Sequence, residues 1–237
     1  MVTRRRVLLA LLVLLLGTLV GASATARTIE FSGYLWDVKS GSGMGPGPND
    51  WSDSTDNVWV DALGRLHLKI THRDSHWQCA EVYTQQSFGY GEYRFYVESY
   101  VDLLDHNVVA GLFTYNSNTE EEMDIEFSRF GNPENPNGSY CVYRDSLHGH
   151  CHPFSFSLAG THTTHRFIWQ PARVLFKSVH GHHPEPGLPG AIIQEWEYAG
   201  PYVSAPSDEK VHINFWLFQG NPPSDGQEAE LVVTQVS

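Results

Sequence analysis

Residues 120–127 read Glu120-Glu121-Glu122-Met123-Asp124-Ile125-Glu126-Phe127. In an extended strand, successive side chains point to opposite faces. Met123, Ile125 and Phe127 then share one face, and Glu122, Asp124 and Glu126 share the other. The apolar half fixes the register, because a slip by one residue would bury three acids. The spacing predicts a strand whose apolar side packs on a core and whose open side carries three carboxylates in a row. Like charges in such a row repel, and each raises its neighbours' hold on a proton. Two bland readings stand beside a functional one. One is a solvated acidic edge strand. The other is a calcium site, which takes carboxylate oxygens but suits a loop better than a straight strand.

On either side of this stretch the chain keeps to short alternating runs. They are Asn57 to Val60, Leu66 to Ile70, Tyr90 to Val97, Val108 to Tyr115, Arg166 to Gln170, Val174 to Val179, Val211 to Phe218 and Leu231 to Val236. Strands this short and this regularly spaced point to an all-β sandwich or barrel. Asp61-Ala62-Leu63-Gly64 reads as a hairpin turn between two of them. The Gly/Pro-rich stretches Ser42 to Asp50 and Asn132 to Gly138 read as loops. No repeat or linker divides the chain, so residues 27–237 are expected to form one domain.

Residues 1–26 read as an export signal. Arg4, Arg5 and Arg6 precede an apolar run from Val7 to Leu16, and small residues around Ala22 to Ala26 offer cleavage sites. That layout is too short for a membrane anchor. The expected location is outside the cell or in the periplasm. A net charge of −12 argues against nucleic acid and anionic membrane as partners and favours a neutral one. There are three cysteines, Cys79, Cys141 and Cys151. A hairpin would bring Cys141 and Cys151 together as a disulfide, leaving one odd thiol.

Glycoside cleavage gives the acid row a purpose. One carboxyl protonates the leaving oxygen while another, ionised, attacks the anomeric carbon, and in retaining enzymes the two stand about 5–5.5 Å apart. Cα atoms four residues apart on a strand are roughly 13 Å apart, so the two Glu side chains must lean together. Asp124, between them, is placed to hydrogen-bond and tune both.

Glu122-Met-Asp124-Ile-Glu126-Phe127 resembles the E-I-D-I-E-F motif of glycoside hydrolase family 16, in the unbulged form of the bacterial lichenases (endo-β-1,3-1,4-glucanases). Other segments follow in the family's order. Cys79-Ala80-Glu81 with Gly89-Tyr90-Gly91-Glu92-Tyr93 resembles C-A-E-Y-R … G-Y-G-x-Y-E-V. Phe113-Thr114-Tyr115 resembles F-T-Y, His165 to Pro171 resembles H-T-Y-x-x-D-W-Q-P, and Asn214-Phe215-Trp216 resembles N-L-W. The resemblance covers most of residues 27–237. It implies a jelly-roll β-sandwich of two curved antiparallel sheets with a concave substrate cleft. It implies a retaining endo-β-glycosidase acting on a β-linked, glucan-type polysaccharide, working as a monomer with no required cofactor. It also leaves room for a structural calcium, which some family members carry on the convex side. On the matching positions Glu122 is the expected nucleophile, Glu126 the acid/base with the raised pKa, and Asp124 their assistant. Glu81, Phe113, Tyr115, Asn214 and Trp216 fall on substrate contacts. The alternatives are a lectin-like jelly roll that binds without cutting, and a transglycosylase.

The departures are local. Tyr83 stands where lichenases have an arginine, and the lichenase cysteine that pairs with the C-A-E cysteine aligns near Trp51, which leaves Cys79 without that partner. Glu120 or its neighbour replaces a Trp before the motif. These changes keep the reaction and leave the polysaccharide unnamed.

Further motifs carry less. His148-Gly149-His150-Cys151-His152 alternates imidazoles, a pattern zinc or copper accept on a strand face, but an exposed hairpin with Cys151 in a disulfide is the preferred reading. Gly181-His182-His183 reads as a solvated loop. His72-Arg73-Asp74 has no kinase context. Asn137-Gly138-Ser139 is a glycosylation sequon.

Overall fold

The computed structural model describes residues 26–183 and 191–237. The expected export signal falls, save Ala26, outside them. The described chain is all-β. One sheet runs in the order β1 (Arg27–Phe31), β2 (Tyr34–Val38), β7 (His76–Thr84), β16 (Lys210–Leu217), β9 (Val108–Tyr115), β10 (Glu122–Phe127), β11 (Gly138–Asp145), β12 (His148–Phe154). The other runs β5 (Val58–Val60), β6 (Leu66–Arg73), β17 (Ala229–Val236), β8 (Gly91–Glu98), β13 (His162–Gln170), β14 (Arg173–His180), β15 (Ile192–Tyr198). Neighbours in both sheets are antiparallel. The β6–β7 hairpin belongs to one sheet at each end and joins the two ladders. This is the jelly roll expected from the sequence.

The core lies between the sheets. Met123, Ile125 and Phe127 point into it from β10 and share one core cluster with Phe167 and Phe176 of the second sheet. Each such side chain contributes about 1.5–3 kcal/mol on burial. Tyr140 of β11 stacks on Phe176 at 5.0 Å and donates its hydroxyl proton to Ser178 Oγ at 2.7 Å. Ser178 in turn bonds His165 Nδ1 at 2.7 Å, and His165 Nε2 bonds Thr163 Oγ1 at 2.8 Å. Burial, with the nearby His182 and His180, pushes His165 down to about 3. This polar chain ties the acid-bearing sheet to its partner through the middle of the sandwich.

The expected Asp61–Gly64 turn joins β5 to β6, with Gly64 at φ +79°. Two stretches differ from expectation. Ser42 to Asp50 is not loop throughout: its ends lie in β3 (Gly41–Met44) and β4 (Asn49–Trp51), and β4 pairs parallel with β7. Side chains hold it there. Trp51 Nε1 donates to Met44 O, and Asn49 Nδ2 donates to Pro46 O and Leu217 O. Likewise, Gly181-His182-His183 is docked rather than solvated. His182 Nε2 bonds Val97 O at 2.9 Å, and the His183 N–H donates to Thr164 Oγ1.

The Cys141–Cys151 disulfide is formed across the β11–β12 hairpin, where the two residues pair directly. Cys79 is free and buried, and its register partner on β4 is Trp51. Asn137 of the sequon is buried. Its amide donates to Asp102 O and Phe156 O, and its Oδ1 accepts the Phe156 N–H. It is a structural bridge with no free nitrogen to glycosylate.

Candidate active site

Antiparallel pairing lays out the outer face of the first sheet as rungs. Tyr143, Glu122 and Tyr115 share one rung. Cys141, Asp124, Phe113, His212 and Tyr83 share the next. Ser139, Glu126, Gly111, Asn214 and Glu81 share a third. The three acids therefore sit in the middle of the sheet, with aromatic and polar side chains on both flanks. They open into a cleft of 560 Å³. All eight residues singled out from the sequence line it: Glu81, Phe113, Tyr115, Glu122, Asp124, Glu126, Asn214 and Trp216. A second lobe of 360 Å³ continues past Tyr143 and Asp145.

Sequence reasoning missed several neighbours. Lys39 Nζ donates to Glu81 Oε2 at 2.7 Å and to Gly45 O at 2.7 Å, and stands 4.1 Å over the Trp51 ring. It thereby anchors the Gly45–Pro46 turn, which forms one wall of the cleft. His212 Nδ1 bonds Glu81 Oε1 at 3.0 Å, and its ring is sandwiched between Tyr83 and Phe113 at 5.3 and 4.9 Å. Tyr83 thus extends a stacked floor. On the other flank Tyr143 lines the second lobe, and its hydroxyl donates to Cys151 Sγ at 3.1 Å, so the disulfide supports that wall from behind. Strand alternation would have offered Cys141 and Tyr143 once β11 was paired with β10. No local signal marks Lys39.

The electrostatics of the acids are unusual for a surface. Burial, then the charge of Glu126, pushes Glu122 up to about 8, offset in part by a hydrogen bond with Asp124. Burial pushes Glu126 up to about 7, again offset by Asp124. Burial and the charges of both neighbours hold Asp124 well above the ordinary carboxylate range. The protons belong to the trio as a unit. Glu126 is raised as expected, and Glu122 is raised as well. Glu122 feels both Glu126 and Glu81, and Lys39, the basic residue lining the cleft, is already paired with Glu81. Glu81 itself goes the other way: burial raises it, but His212 and Lys39 more than reverse this and lower it.

Four buried polar atoms of the floor have no hydrogen-bond partner among the described residues: Asp124 Oδ1, Ser139 Oγ, Asn214 Oδ1 and Trp216 Nε1. Such groups cost about 1–3 kcal/mol each unless a ligand satisfies them. Among the described residues no group of three or more His, Cys, Asp or Glu is arranged to hold a metal ion.

No family model matches the chain, and no curated protein matches it. Solved structures do. A Bacillus licheniformis β-glucanase is 20% identical, with a TM-score of 0.62 over 91% of this chain and 98% of that one. A β-1,3-glucanase from Mycobacterium marinum is 15% identical, with a TM-score of 0.64 over 85% and 90%. A Mycobacterium tuberculosis protein described as an immunostimulatory antigen and pseudo β-1,3-glucanase is 19% identical, with a TM-score of 0.63 over 85% and 89%. At these identities the likeness establishes a shared jelly roll.

Proposed function

We propose that the protein is an exported retaining endo-β-glycosidase of the family 16 type, which hydrolyses a β-glucan with Glu122 as nucleophile and Glu126 as acid/base. The observation that carries this reading is the row Glu122, Asp124, Glu126, held without a counter-cation on the floor of a polysaccharide-sized cleft. A solvated acidic edge would leave these groups in water and near their ordinary values. Here burial and mutual repulsion raise all three, so the row can hold a proton near neutral pH, which catalysis by proton transfer requires.

In the proposed cycle the trio holds its protons as a unit, and the form that reacts is the one with a proton on Glu126 and a charge on Glu122. The Glu122 carboxylate attacks the anomeric carbon as Glu126 protonates the departing glycosidic oxygen. A glycosyl ester on Glu122 results. Glu126, now ionised, takes a proton from water, which attacks the same carbon and releases Glu122. Asp124 hydrogen-bonds both partners and shares the charge as it moves from one to the other. Tyr115, Phe113 and Trp216 offer ring surfaces to sugars, and the unpaired polar atoms offer partners for hydroxyls. The cleft's one lining cation is paired with Glu81, which favours a neutral chain over a sulfated or uronic one. Export rests on the basic start and apolar run of residues 4–16.

Reducing-sugar release from a panel of β-glucans tests the reading. Wild type should release sugar, and Glu122→Gln should lose at least a thousandfold. The pseudo-enzyme among the structural neighbours keeps a second reading in view, binding without cleavage. Wild type that binds glucan and releases nothing would decide for that reading.

A further inference from the structure

Gly111 lies in the interior of β9, where glycine weakens a strand and gives it nothing to pack. Its φ is not positive, so the backbone does not demand it. The reason lies on the floor of the cleft. Gly111 sits between Glu126 on one neighbouring strand and Asn214 on the other. A Cβ at this position would stand 2.5 Å from Asn214 Oδ1 and 3.3 Å from its Cγ. The Asn214 amide therefore occupies the space over β9 that any other residue would fill, on the rung whose next member is Glu126. Its oxygen is buried there, with Asn214 only 4% exposed, and has no hydrogen-bond partner among the described residues. An amide oxygen only accepts, so the missing partner is a donor. In a cleft suited to neutral chains, that donor is a hydroxyl of the ligand.

We propose that Gly111 is a positioning residue. It sets Asn214 Oδ1 beside Glu126 so that this oxygen takes a hydroxyl proton from the sugar unit next to the scissile bond. Selectivity then follows. Glycans that carry this hydroxyl free are bound, and those in which it is O-substituted or absent are rejected. This inference rests on the glycan-cleft reading above and adds a specificity element to it.

The test is a double-mutant cycle on Gly111→Ala and Asn214→Gly. Oligosaccharide affinity is measured by calorimetry in a Glu122→Gln background, and kcat and KM are measured in the active protein. Gly111→Ala should weaken oligosaccharide binding and raise KM about tenfold, with a much smaller fall in kcat. Added to Asn214→Gly it should change neither, because the amide it displaces is gone. An unchanged Kd in Gly111→Ala, or a tenfold loss that persists in the Asn214→Gly background, overturns the proposal and leaves the hydrolase reading standing. Wild type that binds but does not cleave, with binding still lost through the cycle, overturns hydrolysis and supports the positioning role. No binding of any β-glucan oligosaccharide overturns both. If Gly111→Ala alone does not fold, recovery of folding and binding in Gly111→Ala/Asn214→Gly supports the contact, and failure to recover refutes it.

Discussion

Glu122→Gln should stabilise the protein at alkaline pH while removing its activity. The folded-state pKa of Glu122 is raised from an ordinary 4.5 to about 8. Its contribution to stability is therefore fully present below pH 4.5 and is lost as pH rises through 8. Each unit corresponds to about 1.36 kcal/mol, so the whole shift is worth at most about 5 kcal/mol. Glu122 is partly open to cleft water, which screens it, and about 2–3 kcal/mol is the expected share. Gln is close in volume and carries no charge, so it escapes this cost. For a chain of this size 1 kcal/mol moves Tm by about 2–4 °C, which predicts a rise of about 5–10 °C at pH 8.5. At pH 4 both proteins are neutral at this position and should melt together. Thermal melts followed by circular dichroism at the two pH values measure the difference. Glu134→Gln, in an exposed turn, serves as the control. Equal melting of Glu122→Gln and wild type at pH 8.5 would refute the argument that this carboxylate is held at a cost. A variant less stable than wild type there would point to a structural role instead.

Other outcomes follow from the same structure. The pH dependence of glucan cleavage should be bell-shaped, with its basic limb near pH 7–8 because the trio's protons are held above the ordinary range; a limb near pH 5 would count against the coupling. His165 is neutral when folded and pushed down to about 3, so its contribution is whole above pH 6.5 and falls away as pH drops toward 3. Acid titration of wild type and His165→Gln should show a shallower loss for the variant over that window. Reduction of Cys141–Cys151, or Cys151→Ser, should lower Tm by several degrees, since a closed loop of this length is worth about 2–3 kcal/mol. It should also raise KM, because Tyr143, which lines the second lobe, is held by Cys151 Sγ; an unchanged KM would separate stability from binding. Asn49→Ala should raise KM, since Asn49 holds the Gly45–Pro46 wall through Pro46 O and Leu217 O.

Period-two alternation in Met123, Ile125 and Phe127 carries its own register, so the acid row was readable without a partner strand. Cys141 and Cys151 were readable because a hairpin is a local structure. What escaped is non-local. β3 and β4 are hidden in Gly/Pro-rich sequence because side chains hold them, one bond reaching from Asn49 to Leu217. Lys39 and His212 matter through Glu81, to which no sequence spacing connects them. That Glu122 is raised together with Glu126 escaped for the same reason. It depends on which cation is left free in the cleft, and pairing with Glu81 takes Lys39.

Trp51 and Cys79 face each other across the parallel pair β4–β7, near the place where the resemblance to lichenases aligns a second cysteine. Trp51 closes the wall by ring packing under Lys39, and Asn49 takes the Cys79 thiol proton. In genetic terms the two solutions are neighbours. Tryptophan has one codon, UGG, and a change in its third base to U or C encodes cysteine. One point mutation, Trp51→Cys, would thus exchange a cation-and-ring clasp for a second thiol facing Cys79.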